Sequence, residues 1–243
     1  MGRRSRRLLG LKTAALLCAA TVVPRAEAGE PDWNDLMRDG GILLSRQPHN
    51  FGGLASDNLL RENEFLPPTW QWVADDFVLN QTSAIGRVNF WGFYDHNSLP
   101  GGTEDFRLRF YEPRNSDGLP GDVVYETSAT DVPRTFTGRT IITSGAPAEY
   151  LFSLELSSPF VAEAGQQYWL EIIQVGNLES LFRWELSRAP PLNGQAFTNP
   201  VVLDWTATTD NSNTAFQLIL VPEPTIILLA LPFLFTLLIR HKR

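Results

Sequence analysis

The period at which apolar side chains recur constrains this chain most. That period is two, and no long stretch carries the 3.6-residue repeat of an amphipathic helix. In FRLRFY, Phe106, Leu108 and Phe110 alternate with Arg107, Arg109 and Tyr111. In YLFSLEL, Tyr150, Phe152, Leu154 and Leu156 alternate with Ser153 and Glu155, and Phe182, Trp184 and Leu186 do so in FRWEL. Phe216, Leu218 and Leu220 share one face of AFQLIL, as do Val73, Phe77 and Leu79 of WQWVADDFVL, with Asp75 among them. RVNFWGFY and YWLEIIQV are aromatic and β-branched enough to be strands covered on both faces. Weaker candidates lie at 41–46, 122–126, 139–143 and 201–205.

Half-buried strands need a second layer over their apolar face, and no amphipathic helix offers one, so the layer must be another sheet. The expected fold is all-β, an antiparallel β-sandwich of jelly-roll or immunoglobulin-like type, its interior filled from the chain's 15 Phe and 7 Trp. The connections read as turns, with Leu-Pro-Gly in both Asn97–Gly102 and Ser116–Gly121.

The two ends stand apart from this domain. Arg3, Arg4, Arg6 and Arg7 precede an apolar run from Leu8 to Val23, and Ala26-Glu27-Ala28 supplies the small-x-small pattern of signal peptidase cleavage. Residues 1–28 therefore read as a signal peptide and 29–221 as the exported domain. Thr225 to Ile239 is apolar apart from two threonines, and as a helix would span about 22 Å, short of a hydrocarbon core of about 30 Å. Arg240, His241, Lys242 and Arg243 follow as a stop-transfer cluster. The expectation is a single C-terminal transmembrane helix over 225–239, holding the domain outside a bacterial inner membrane.

Val221-Pro222-Glu223-Pro224, that apolar segment and the basic end 240–243 together resemble the PEP-CTERM sorting signal of bacterial exported proteins. The resemblance implies that residues 222–243 are read by an exosortase, a membrane peptidase, and that the protein serves an exopolysaccharide-producing envelope. Parts of the domain also resemble ectodomains found ahead of such tails: Val73-Ala74-Asp75-Asp76-Phe77, Trp91-Gly92-Phe93-Tyr94, Phe106 with the following Asp117–Gly121, and Ala215-Phe216-Gln217-Leu218. That likeness implies the sandwich and transfers no activity.

Between Gly29 and Val221 there are 25 Asp and Glu against 11 Arg and no Lys, a net charge of −14. Such a surface repels nucleic acid, which excludes that class of partner. The only cysteine, Cys18, lies in the leader, so the exported domain has no disulfide and no thiolate metal site.

Candidate sites follow from residue type alone. Asp75 falls on the core face of its strand, where an unpaired charge is unfavourable. With Asp95, Glu104, Asp105 and Asp117, near strand ends, it can be read as part of a structural Ca²⁺ site. The other reading has Asp75 accepting backbone N–H groups or pairing with Arg87 or Arg109. His49 and His96 are 47 positions apart without a cysteine, a poor zinc set. Among the tryptophans, Trp70, Trp72 and Trp91 are candidates to stack on sugar rings, whereas Trp184 and Trp205 read as sandwich filling. The leading expectation is a non-enzymatic structural or adhesive protein of the envelope or extracellular matrix, with no cofactor. A polysaccharide-binding module is the first alternative. A glycoside hydrolase, needing two carboxylates across a solvent-filled cleft, is the second.

Overall fold

The computed structural model describes residues 41–56, 71–95, 104–143, 145–175, 180–187, 194–199, 204–208 and 212–221. The elements among them are all strands: β1 (Ile42–Arg46), β2 (Pro48–Ala55), β3 (Trp72–Val78), β4 (Ser83–Tyr94), β5 (Phe106–Pro113), β6 (Pro120–Ala129), β7 (Arg134–Thr140), β8 (Ala148–Ala162), β9 (Gln167–Gln174), β10 (Phe182–Ser187), β11 (Gln195–Thr198), β12 (Thr206–Ala207), β13 (Asn213–Thr214) and β14 (Phe216–Leu220). Every pairing is antiparallel.

Two sheets result. In the eight-stranded sheet, β8 runs along one edge of β4, while β14 and then β10 share the other. The six-stranded sheet has the order β12-β11-β3-β9-β5-β6. The outermost β6 is tied back to the first sheet by the Tyr125 hydroxyl, which donates to the Ser158 carbonyl at 2.8 Å, so one side of the sandwich curls towards a half-barrel. Strand alternation delivers one set of side chains from each sheet to a shared core. Phe90 and Phe152 stack at 5.1 Å, and Phe106 of the opposite sheet meets Phe90 edge-on at 5.0 Å and Phe182 at 5.1 Å. Such ring pairs contribute about 0.5–1.5 kcal/mol beyond the area they bury. β4 and β9 are buried on both faces, as RVNFWGFY and YWLEIIQV suggested.

The expectation of an accompanying transmembrane helix is corrected. Among the described residues no element is helical, and no helix is long and apolar enough to cross a membrane. The segment 225–239 lies outside the described residues, so a membrane-anchored localisation has no helix to rest on. Four strands, β2, β11, β12 and β13, had no sequence counterpart, the strand expected at 139–143 is β7, displaced to Arg134–Thr140, and of the candidate at 201–205 only 204 and 205 are described, neither in a strand.

Asp75 stands between Val73 and Phe77 on the inter-sheet face, fully buried. Its partner is Arg46 of β1, in the other sheet, and neither Arg87 nor Arg109. Arg46 Nη1 lies 2.6 Å from Oδ1, and the Thr214 backbone N–H and hydroxyl both donate to Oδ2, the hydroxyl at 2.8 Å. The same guanidinium donates to Asn213 Oδ1 at 3.1 Å and lies 5.2 Å over the Phe216 ring. Replacing one member of a buried pair costs far more than replacing both, because an uncompensated charge remains. Arg46→Met should therefore lower the unfolding free energy by about 3–5 kcal/mol at neutral pH in urea melts. Adding Asp75→Asn, which keeps an acceptor for Thr214, should restore most of it. A single variant as stable as the parent would show that Arg46 does not compensate this carboxylate.

Candidate functional site

The outer face of the six-stranded sheet carries the polar residues that alternation sends away from the core. Its cross-strand register runs Ala74, Glu171, Arg109 and Glu126 over β3, β9, β5 and β6. Ala74, Tyr111, Trp169 and Ala196 form an apolar floor, on which Leu119 and Trp205 pack. Glu171 is fully buried there: the Tyr111 hydroxyl donates to its Oε2 at 2.7 Å, while Arg107 and Arg109 each lie 3.8 Å from its Oε1. Arg109 Nε donates to Glu126 at 2.5 Å. Both guanidiniums lie over the half-buried Trp72 ring, at 5.2 Å for Arg107 and 5.9 Å for Arg109.

At the end of this face the β5–β6 connection folds into a tight tip. Gly118, at φ +75°, takes the left-handed conformation the turn requires, and its N–H donates to the Arg114 carbonyl at 2.9 Å. Trp169 Nε1 donates to the Gly118 carbonyl at 3.0 Å, pinning the tip to β9. Arg114 reaches from the tip to Asp204, its Nη1 lying 2.8 and 2.9 Å from the two carboxylate oxygens, while Nη2 meets Asp117 at 3.0 Å. Asp204 Oδ1 accepts the Trp205 N–H at 2.7 Å, and the Trp205 ring stands edge-on to Tyr111 at 5.7 Å. Between tip and 204–205 segment lies an open, mainly polar cleft of about 580 Å³, lined by Glu112, Asn115, Asp122, Gln166, Asp204 and Trp205 with Arg114. The Arg114 hydrogen bonds hold the Asp204 carboxyl below its usual range.

Of the tryptophans singled out for sugar stacking, Trp72 lies half-buried on this face and Trp70 lies outside the described residues. Trp91 is corrected: it is fully buried on the other sheet with Leu151 and Ala215, so no ring face is open to a ligand. Trp205 is corrected in the opposite sense, since it lines the cleft instead of filling the sandwich. The calcium candidates do not converge. Asp75 is enclosed in the core. Asp95 takes Arg183 through two bonds at 2.6 and 2.9 Å, and Glu104 accepts Tyr94 and Arg134. Asp105 accepts the Asp131 N–H at 3.2 Å, and Asp117 holds Arg114. Among the described residues no group of three or more His, Cys, Asp or Glu is placed to hold a metal.

Glu149 and Glu185 share Arg139, whose Nη2 lies 2.5 and 3.8 Å from them, but both are fully buried and face no solvent-filled cleft. His49 Nδ1 accepts the Phe51 N–H at 3.1 Å. Val221 donates its N–H to the Ala84 carbonyl at 2.9 Å. His96, Ala26, Ala28, Pro222, Glu223, Pro224, Arg240, His241, Lys242 and Arg243 lie outside the described residues.

The chain belongs to the family described as Domain of unknown function (DUF7901), which matches residues 47–221. No curated protein matches the chain. An all-β two-sheet domain of this kind is consistent with a structural or a carbohydrate-binding module.

Burial pushes the Glu171 carboxyl up to about 7, against the Tyr111 hydrogen bond and the charges of Arg109 and Arg107; the more distant Glu126 adds to the rise. Burial likewise lifts Asp75 to about 6, against Arg46 and Thr214. Over the interval between each group's ordinary value and its folded one, the folded state binds the extra proton, so stability falls as pH rises. For Glu171 that interval runs from 4.5 to about 7, worth roughly 3 kcal/mol at most. The melting temperature should accordingly drop from pH 5 to pH 7.5. Glu171→Gln should flatten the part above pH 6 and make the part below it shallower, leaving there the slope that Asp75 contributes. An unchanged profile in the variant would exclude Glu171 as the titrating group.

Proposed function

We propose that this domain binds neutral polysaccharide in the cleft between the β5–β6 tip and the 204–205 segment. The observation that carries the reading is Trp205, half-buried at the rim of a cleft whose other side chains include three carboxylates, two amides, Arg114 and two prolines. A sugar ring presents an apolar C–H face and a girdle of hydroxyls. An indole suits the first, and Glu112, Asn115, Asp122 and Gln166 suit the second. Trp205 is held before any ligand arrives, by Tyr111 against its ring and by Asp204, itself clamped by Arg114. Rigidity of this sort reduces the ordering cost of binding.

The charge favours neutral polymers. Glu112, Asp122 and Asp204 outnumber Arg114 at the cleft, and the net charge of the whole chain is −7. Binding fits the site better than hydrolysis. Asp204, kept ionised by Arg114, has no proton to give a glycosidic oxygen. The open sides of the cleft suit the interior of a polymer chain.

Affinity gel electrophoresis of the full chain tests this, with hydroxyethylcellulose, galactomannan and soluble starch set against alginate and polygalacturonate. At least one neutral polymer should retard the protein, and Trp205→Ala should weaken that interaction about tenfold or more, or about 1.4 kcal/mol, in a protein that still unfolds cooperatively. Retardation by the anionic polymers alone, or equal binding by the variant, would overturn the proposal.

A further inference from the structure

β7 is the outermost strand on one flank of the eight-stranded sheet, and β8 is its one partner among the described residues. The register sets Arg134, Thr135 and Phe136 against Phe152, Leu151 and Tyr150. The Ser153 N–H donates to the Pro133 carbonyl at 3.3 Å, and in an antiparallel ladder only alternate residues turn their backbone groups towards a given neighbour. Thr135 therefore bonds β8, while the N–H and C=O of Arg134 and Phe136 point to the open edge. This regular run is short. Its register breaks between Phe136 and Thr140, where Gly138 takes φ +82°.

The side chains leave the same edge accessible. Phe136 lies on the face that carries Tyr150 and Phe152, yet it is 54% exposed, its ring 6.0 Å from that of Tyr150. Thr135 is exposed on the opposite face. Arg134 and Arg139 are the only charged residues of β7, and each is held by a carboxylate of its own chain, Glu104 and Glu149 respectively. An edge that is open, locally neutral and apolar on one side is a template for another strand.

The strand that fits it best is its own copy. A two-fold axis through Thr135 sets Arg134 of each molecule opposite the partner's Phe136, so the outward N–H and C=O groups of both residues meet their complements. Each Phe136 then packs beside the stem of the partner's Arg134, and the two Thr135 side chains are neighbours on the other face. The same axis keeps the second sheets apart. β6 is tied to β8 at Ser157 and Ser158, six or seven residues beyond Leu151, or about 20 Å along the strand. Two-fold symmetry sends those ties to opposite ends of the contact.

We infer that two copies of this chain join through β7, antiparallel about Thr135, so that the larger sheet runs on from one molecule into the next. Three residues a side make a small interface, so the association is weak and reversible.

The test is cross-linking of the full chain carrying Cys18→Ser, which removes its only cysteine. Across the axis the Thr135 Cα atoms should stand about 4.5 Å apart, within the range of about 4.4–6.8 Å that a disulfide spans. Under mild oxidation with copper phenanthroline, Thr135→Cys should form a covalent dimer about tenfold or more faster than Val161→Cys, an equally exposed position on β8. Adding Phe136→Lys, which sets like charges across the axis, should slow the dimer about tenfold. A Thr135→Cys rate no greater than that of Val161→Cys, or one that Phe136→Lys leaves unchanged, overturns the inference. If Thr135→Cys does not fold, sedimentation velocity of the parent and of Phe136→Lys decides. Association that grows with concentration in the parent and is lost in the variant supports the dimer, and equal behaviour of the two overturns it.

Discussion

The contact between Arg46 and Asp75 fixes which way β3 faces. Side chains alternate along a strand, so a slip of one position would replace Asp75 at the core by Ala74 or Asp76 and swing Trp72 inward. With Asp75 opposite a guanidinium of the other sheet and two Thr214 donors, only one register satisfies the carboxylate. The identity of the outer face, including Trp72, Glu171 and the rows beside them, follows from a pairing made on the inner one. The aromatic core gives the sheets their attraction, but it is far more tolerant of small shifts than a carboxylate that must meet its donors.

Much of this architecture was readable from side-chain alternation. FRLRFY gave β5 its inward phenylalanines and outward arginines, and WQWVADDFVL placed Asp75 on the core side. What alternation cannot report is partnership between distant segments. Arg46 is 29 positions from Asp75, and Arg114 is 90 from Asp204. The cleft depends on the second of these contacts, so nothing local announced it. The tryptophans failed for a related reason. Trp91 sits in a strand whose outer face is also covered, whereas Trp205 lies beside a two-residue strand, β12, outside any alternating run. The short strands β11 and β13 span four and two residues, too few to carry a sequence period of their own.

The use of arginine as almost the sole cation bears on both faces. A guanidinium meets a carboxylate with two parallel donors, as Arg114 does with Asp117 and Arg183 with Asp95, and can lie flat against an aromatic ring, as Arg107 does. A lysine would supply the charge without the plane. Arg46 over Phe216 and Arg107 over Trp72 show one device used twice, inside the sandwich and outside it.

The position of β6 carries a consequence for how copies of the domain meet. It closes the described order of its sheet, with Val123 and Val124 exposed, and an outermost strand offers its free backbone groups to any strand that passes. Asp122 and Glu126 flank those valines and are exposed too. Two molecules approaching edge to edge would bring these carboxylates together, so like charge opposes the addition of a neighbour's strand. At such an edge, acidity keeps the sheet finite.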